Sequence, residues 1–265
     1  FCELARQHFT VALSGDGGDE NFAGYRRYRW HAYEEKVRSR LPQAIRSPLF
    51  GMLGAVYPKL DWAPKYLRAK TTFQALARDS LEGFLDSVSV VSDQNRKLLF
   101  SREFHDSLDG YNAVEVFRRH ASRRPASDPL SLVQYLDLKT YLPGDILTKV
   151  DRASMAHSLE VRVPILDHTL TEWASGLDPS WKLNGRDGKY ILKQALRDYL
   201  SDEILFRDKM GFAVPLASWF RGPLRENIRS LTDAPVFAES GIFDSGAIDT
   251  MVRHHQAGLK DHSAT

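Results

Sequence analysis

The loop Ser14–Glu20 combines glycines with acidic residues directly after a short apolar run. Consecutive small residues let backbone N–H groups approach an anion, so the loop could bind phosphate or ribose oxygens. Its carboxylates, Asp16, Asp19 and Glu20, would repel a polyanion unless a metal ion or a proton intervened, and together with a phosphate site they indicate Mg²⁺. A glycine- and aspartate-rich turn that caps the next helix with Asp16 or Asp19 explains the same residues without chemistry.

A second charged region follows the helix-breaking residues Pro143-Gly144-Asp145. Asp145 can cap a helix that runs to His157, and the extended stretch after it would place alternate side chains on one side. Dense charge in this apolar setting predicts an internal ion-pair cluster, which is either structural or part of a binding pocket. The charged residues concerned are Lys149, Asp151, Arg152, Glu160 and Arg162.

A lysine stands at a predicted helix start near residue 189. The segment 184–188 has the composition of a turn, and Lys189 opens an apolar helical pattern that continues to Leu200. The N-terminus of a helix favours an anion, and a lysine there could stabilise negative charge as a phosphoanhydride breaks. The alternative is an ordinary surface lysine at a helix end.

The elements that must position these residues are mainly helical. The run Thr10–Leu13 predicts a buried strand, and Phe22–Tyr33 predicts a helix after the loop, the order typical of nucleotide-binding α/β proteins. Prolines and glycines between Leu41 and Pro64 indicate a break in the pattern. Helical spacing returns at the positions Phe73–Leu85, Asn112–His120 and Leu130–Tyr141.

Composition excludes several classes of function. The 265-residue chain has a net charge of +2 from nearly balanced acidic and basic residues, so nucleic acid is not expected as a partner. Cys2 is the single cysteine, which excludes an internal disulfide framework and favours a cytoplasmic location. No apolar stretch is long enough for a membrane span. The pair His254-His255 lacks metal-site spacing and is predicted to be solvated.

Three blocks carry a resemblance to a known family. The segment Leu13–Glu20, followed by Phe22–Tyr25, resembles the second nucleotide-site motif of the asparagine synthetase family. The residues 149–155, 159–164 and 166–167 are similar to the next signature block of that family, in the same order. A later stretch, Lys209–Phe212 with Pro215 and Trp219, resembles another block.

The resemblance implies roles for individual residues. Ser14 and Gly15 would line the ATP site, and Asp19 would hold Mg²⁺ over the pyrophosphate. Asp16 would act on the β-aspartyl-AMP intermediate and its attack by ammonia, a contribution of about 10² to 10⁴ in rate for a well-placed base. Lys189 matches a catalytic lysine of the family. Asp151, Arg152 and Glu160 are implied as pocket residues.

The implied fold is α/β, a mostly helical part of an adenine-nucleotide α-hydrolase-like (ATP pyrophosphatase) domain with only part of its parallel sheet. The implied reaction uses ATP to join aspartate to ammonia derived from glutamine. A homodimer is compatible with the resemblance. We expect residues 1–265 to be a synthetase domain truncated at both ends and inactive alone. The family's first pyrophosphate loop and its glutaminase domain are not in this sequence.

Two other functions stay open at this stage. The first is a related amidotransferase that acts on another carboxylate, such as a surface glycan or an antibiotic precursor. The second is a non-catalytic nucleotide-binding scaffold, for which substitutions at Asp16 and Lys189 would leave function intact.

Overall fold

The computed structural model describes residues 1–57, 69–123, 128–207, 214–232 and 234–263. The chain forms two compact units, each of two segments. The first contains Phe1–Ser87 and Val116–Arg207, and the second contains Val88–Glu115 and Asp208–Thr265. The block at 209–212 and the positions 58–64 therefore lie outside the described residues.

The described residues are mostly helical and contain four short strands. Along the first segment of unit 1 the elements are α1 (Cys2–Arg6), β1 (Val11–Leu13), α2 (Gly18–Asn21), α3 (Arg26–Arg38), α4 (Gln43–Val56), α5 (Lys70–Ala77) and α6 (Ser80–Val88). Its second segment contains α10 (Pro129–Lys139), a π-helix (Leu142–Leu147), α11 (Thr148–Met155), β2 (Glu160–Arg162), a 3-10 helix (Pro164–Leu166), α12 (His168–Ser175), α13 (Pro179–Lys182), β3 (Leu183–Asn184), β4 (Asp187–Gly188), α14 (Tyr190–Ala195) and α15 (Asp202–Leu205).

The remaining helices belong mainly to unit 2. They are α7 (Asp93–Leu99), α8 (Arg102–Ser107), α9 (Val114–Ala121), α16 (Leu216–Arg221), α17 (Arg225–Thr232), α18 (Pro235–Glu239) and α19 (Ser245–Gln256). The three helical patterns predicted from Phe73, Asn112 and Leu130 are confirmed by α5 with α6, α9 and α10. Within the described part of the chain no helix combines the length and apolarity that crossing a membrane requires.

Strand β1 pairs in parallel with β2, so that Val11 lies opposite Glu160 and Leu13 opposite Arg162. The strand prediction for Thr10–Leu13 is confirmed, but the prediction that the strand is buried is wrong, because Leu13 is 74% exposed. The physical reason is that β1 has one strand neighbour among the described residues and so keeps an open edge.

The helix predicted over Phe22–Tyr33 is wrong at its start. Helix α2 ends at Asn21, and Ala23 adopts a left-handed conformation with φ of 55° before α3 begins at Arg26. A left-handed residue cannot continue a right-handed helix, so the chain turns between α2 and α3.

In the described residues the break predicted between Leu41 and Pro64 is limited to the turn before α4, because α4 is a continuous helix with Pro48 inside it. Tertiary contacts outweigh the proline here. The Arg46 guanidinium donates to the carbonyls of Leu76 and Arg78, which ties α4 to the end of α5. Gly54 also faces α5 closely enough that an added Cβ would lie 3.0 Å from Gln74 Cγ.

Asp145 does not cap a new helix, which corrects the sequence prediction. Helix α10 leads into the π-helix and then α11, and Asp145 lies within the π-helical turn. The backbone stays hydrogen-bonded on both sides of Asp145, since the N–H of Gly144 donates to Thr140 O and the N–H of Thr148 donates to Asp145 O. Such insertions are frequent at functional sites.

His31 lies in the core of unit 1 and gives a pH-dependent stability. Its ring is 3% exposed, 5.5 Å from the Phe84 ring, and has no hydrogen bond among the described residues. Burial lowers the pKa of His31 to about 4, although the carboxylate of Glu35 opposes this shift. The histidine of the unfolded chain, with a pKa of 6.5, takes up a proton first as the pH falls.

We therefore expect the free energy of unfolding to fall by about 3 kcal/mol between pH 6.5 and pH 4 because of His31. His31→Phe should remove this slope, while His168→Phe, at an exposed side chain, should keep it. Urea unfolding of the full-length protein at a series of pH values measures it. Identical pH profiles for the wild type and His31→Phe would contradict the assignment.

Unit 2 contains an apolar pocket of about 330 Å³ lined by residues that include Phe220, Phe237, Phe243 and Met251. His255 lines it and is 5% exposed, which makes the prediction of a solvated histidine pair wrong for this residue. Its Nδ1 accepts a hydrogen bond from the N–H of His262 at 3.1 Å and lies 3.3 Å from Asp261 Oδ1, so protein groups surround the ring.

Candidate active site

The loop that follows β1 is fixed by contacts at both of its ends. The N–H of Ser14 donates to Arg162 O at 2.8 Å and extends the β1–β2 ladder. The Ser14 hydroxyl donates to Asp16 Oδ2 at 2.5 Å, which orients that carboxylate. Gly17 has φ of 83°, and an added Cβ would lie 2.1 Å from Leu166 Cδ2. Glycine is required at Gly17 both for its conformation and for this close approach.

Asp19 and Lys189 form an ion pair although they are far apart in the sequence. The Lys189 Nζ lies 3.2 Å from Asp19 Oδ2, and the two side chains are 33% and 22% exposed. Helix α14 begins directly after Lys189, whose N–H donates to Phe22 O at 2.7 Å. A cation and a carboxylate thus lie together, partly open to solvent, beside the glycine-rich loop.

Glu20, the third carboxylate of the loop, points into the protein. It is 1% exposed and accepts a hydrogen bond from the Tyr25 hydroxyl at 2.8 Å. Burial raises the pKa of Glu20, and burial together with the Glu20 charge also raises the pKa of Tyr25. The loop therefore offers two accessible carboxylates, Asp16 and Asp19, while the Glu20 carboxylate is inaccessible to a ligand.

An arginine cluster stabilises the chain that follows the loop. The Arg27 guanidinium lies 2.6 Å from Asp137 Oδ2 and 3.7 Å from the centre of the Tyr25 ring. The Tyr28 hydroxyl donates to the same carboxylate oxygen at 2.5 Å, and the Tyr141 ring lies 4.7 Å from Arg27. Asp137 is fully buried, and burial raises its pKa while Arg27 and Tyr28 oppose the rise. The cluster joins α3 to α10 and to the start of the π-helix.

A buried amide holds the end of α2. The Gln134 Nε2 donates to the carbonyls of Glu20 and Asn21 at 2.5 and 3.2 Å, and Gln134 Oε1 accepts from Lys182 Nζ at 3.3 Å. The Asn21 side chain donates to Ile165 O at 2.8 Å. These bonds satisfy carbonyl groups that the end of a helix leaves unpaired, and they fix the position of the loop.

Comparison with known proteins shows the family of this chain. The family model described as Asparagine synthase matches residues 1–265, the whole chain. The chain belongs to the asparagine synthase family. The matched range includes the Ser14–Glu20 loop and Lys189, so membership does not depend on short motifs alone. No solved structure gives a significant match.

Relatives in the asparagine synthase family are longer than this chain. A putative asparagine synthetase of Mycobacterium tuberculosis H37Rv is 32% identical over 265 residues, 98% of this chain and 38% of the relative. Asparagine synthetase 1 of Bacillus subtilis is 28% identical over 227 residues, 86% of this chain and 34% of the relative. Amidase chyE of Penicillium rubens is 29% identical over 266 residues, which are 93% of this chain and 38% of the relative. The chain thus spans a little over a third of the relatives' length.

Not all the predicted site residues meet at the loop. Asp151 and Arg152 are exposed on α11, and among the described residues their side chains form no hydrogen bond or ion pair. Glu160 pairs with Arg162 at 2.7 Å, as the shared strand side predicts, but both side chains are more than half exposed. The prediction of an internal ion-pair cluster is therefore wrong. Glu160 also starts β2, at the end of the strand pair opposite to Ser14.

Sequence reasoning missed the Arg27 cluster and Gln134, although a signal was present. The buried positions of α10 include Leu130, Val133, Gln134 and Asp137, which follow helical spacing. A carboxylate and an amide on an otherwise apolar helix face require buried partners, since an unpaired buried charge costs several kcal/mol. This pattern indicates a polar network but does not identify Arg27 or Glu20 as its members.

Proposed function

We propose that the full-length protein containing this chain forms an amide from aspartate, ATP and ammonia derived from glutamine, with release of AMP and pyrophosphate. The observation that supports this most is the Asp19–Lys189 pair at 3.2 Å beside the Ser14–Asp16 turn. It brings together a cation for phosphate charge and two accessible carboxylates at the carboxyl end of a parallel strand, where α/β proteins bind nucleotides.

The first chemical step in this proposal is formation of β-aspartyl-AMP. A side-chain carboxylate oxygen of aspartate attacks the α-phosphorus of ATP, and pyrophosphate leaves. Ser14 and Gly15 bind the nucleotide, and Lys189 stabilises the negative charge that develops on the phosphates. The Lys189 side chain is 33% exposed, so its ammonium is accessible to a bound phosphate.

The second step transfers nitrogen. Ammonia attacks the carbonyl carbon of the intermediate, the carbon–oxygen bond to AMP breaks, and the attacking nitrogen loses a proton. Asp16 accepts that proton as a general base. The hydrogen bond from the Ser14 hydroxyl at 2.5 Å holds the Asp16 carboxylate in one orientation for this role.

The Asp19 carboxylate fits Mg²⁺ as one member of its ligand set. Among the described residues no group of three or more His, Cys, Asp or Glu side chains could hold a metal ion. Mg²⁺ is commonly bound by one or two carboxylates together with substrate phosphates, so one carboxylate beside a phosphate site is enough. When bound, the metal neutralises charge on the leaving pyrophosphate, and Asp19 is the residue that would hold it.

Asp19→Asn should raise the Mg²⁺ concentration required for half-maximal activity of the full-length protein by about 10-fold or more. Loss of a direct ligand should cost at least as much as the loss of a residue that orients one. Asp187→Asn is the matched control, because Asp187 also pairs with a lysine, Lys193, at 3.3 Å. Equal Mg²⁺ requirements for the wild type and Asp19→Asn would contradict the metal assignment.

The proposal also covers the acid-substrate pocket, the extent of the domain and the location of the protein. Asp151, Arg152 and Glu160 are proposed to line the pocket for the acid substrate, and their exposed side chains are accessible to a ligand. The chain alone is proposed to be inactive as part of a larger synthetase domain of the ATP pyrophosphatase type. A cytoplasmic location, a homodimer and no nucleic acid partner are kept as expectations.

A related amidotransferase acting on another carboxylate is the second candidate. It is favoured by two relatives named as amidases, chry2 of Gibberella zeae and chyE of Penicillium rubens, which are 26% and 29% identical to this chain. The loop and Lys189 would carry out the same activation chemistry on a different acid.

Product analysis of the full-length protein separates the two candidates. It is incubated with ATP, Mg²⁺ and either glutamine or ammonia, and with aspartate or one of a panel of other carboxylic acids. We expect AMP, pyrophosphate and asparagine in equal amounts with aspartate. Release of pyrophosphate with another acid and none with aspartate would overturn the asparagine proposal, and release of ADP would overturn both candidates.

A further inference from the structure

Two glycines lie at the contact between the loop region and the hairpin formed by β3 and β4. An added Cβ at Gly188 would lie 2.2 Å from Ala23 O and 3.2 Å from Gly24 Cα. The next residue, Lys189, donates its N–H to Phe22 O at 2.7 Å. Only a glycine allows the two backbones to approach this closely, so Gly188 sets the position at which the lysine leaves the hairpin.

Gly24 lies directly against the ion pair. An added Cβ at Gly24 would lie 2.1 Å from Asp19 Oδ1 and 2.3 Å from Lys189 Cε. The N–H of Gly24 also donates to Asp19 O at 2.8 Å, so this residue contacts both the backbone and the side chain of the aspartate. The space that a methyl group would fill is occupied by the two charged side chains.

The backbone beside both glycines is strained. Ala23 and Lys189 are non-glycine residues with φ of 55° and 57°, in the left-handed region. Each such residue costs about 1–3 kcal/mol and persists when surrounding contacts determine it, which is common at functional sites. Here the Lys189 N–H bond to Phe22 and the Gly188–Ala23 contact hold both conformations.

We propose that Gly24 and Gly188 are positioning residues that fix the Lys189 ammonium beside the Asp19 carboxylate. The proposal rests on the function proposed above. It adds which residues set the distance between the Lys189 ammonium and the Asp19 carboxylate. Gly15 differs from these two glycines, because an added Cβ there would have no atom within 4 Å. Gly17 also approaches a neighbour closely, but that neighbour is Leu166, whereas Gly24 lies against the ion pair itself and Gly188 against the backbone next to it.

The test compares Gly24→Ala with Gly51→Ala in the full-length protein. The control is an exposed helix position where an added Cβ meets nothing within 4 Å. We expect Gly24→Ala to lower kcat about 10²-fold, the cost of a misplaced catalytic group, while KM for ATP changes little. In a Lys189→Ala background Gly24→Ala should have a smaller further effect, because only the Asp19 carboxylate is then left to be displaced. An equal loss in both backgrounds would overturn the positioning role.

A second readout needs no activity. Acetic anhydride labels lysines at rates that depend on their surroundings, and mass spectrometry gives the labelling of Lys189 relative to Lys193. We expect this ratio to rise several-fold in Gly24→Ala and in Gly188→Ala, and to stay constant in Gly51→Ala. A constant ratio in all variants would overturn the proposal. A changed ratio in a protein without amide-forming activity would overturn the proposed function but support the positioning.

Discussion

Lys189→Ala should lower the rate of pyrophosphate release by the full-length protein about 10³-fold. The substitution removes the cation that lies 3.2 Å from Asp19 and stabilises charge developing on the phosphates. Removing one well-placed electrostatic stabiliser costs about 10² to 10³ in kcat, and Lys189 supplies a full charge. The rate is measured with saturating ATP and aspartate by a coupled pyrophosphate assay.

Lys193→Ala is the matched control for this prediction. Lys193 also forms a lysine–aspartate pair, with Asp187 at 3.3 Å, one turn further along α14. Its loss should leave the rate within about threefold of the wild type, because exposed ion pairs contribute little. If Lys189→Ala retained near wild-type rates, the site assignment would be wrong and the scaffold alternative would gain support.

Asp137→Ala should lower the free energy of unfolding by about 3–5 kcal/mol. Its carboxylate is fully buried and bonds both the Arg27 guanidinium and the Tyr28 hydroxyl. Removing one member of a buried ion pair leaves the other charge uncompensated, which accounts for a loss of this size. Urea unfolding of the full-length protein, followed by tryptophan fluorescence and by hydrogen exchange of α3 amides, measures the change.

The control for the stability prediction is Asp187→Ala, which removes an aspartate whose side chain is 52% exposed. That change should cost less than about 1 kcal/mol. Asp137→Asn should fall between the two, because the amide oxygen can still accept from Tyr28 while the charge is lost. Equal unfolding free energies for the two alanine variants would show that the Arg27 cluster is not a main source of stability.

Local signals predicted the parts of the site that depend on neighbouring residues. The strand before Ser14, the turn before Lys189 and the helix start after it follow from apolar runs and turn residues, and the structure confirms them. The resemblance named Asp19 and Lys189 separately, and the structure pairs them. Whether they act in catalysis stays a prediction.

Features that depend on distant contacts could not be predicted. Glu20 belongs to an acidic loop by sequence, yet Tyr25 and Gln134 hold it and its backbone inside the protein. Pro48 and the Pro143-Gly144 pair indicate helix ends, but both segments are helical. Near Pro48, the contacts of Arg46 with the end of α5 outweigh a local preference worth about 3 kcal/mol.

Isotope transfer from aspartate to AMP tests the central claim most directly. The full-length protein is given ATP, ammonia and aspartate labelled with ¹⁸O in its side-chain carboxylate, and the AMP is analysed by mass spectrometry. In β-aspartyl-AMP one labelled oxygen bridges the aspartyl carbon and the phosphorus. When ammonia displaces AMP from that carbon, this oxygen stays on the phosphate of AMP. We predict one ¹⁸O per AMP, and little AMP from Lys189→Ala. Label in inorganic phosphate, or AMP without label, would contradict the proposed reaction.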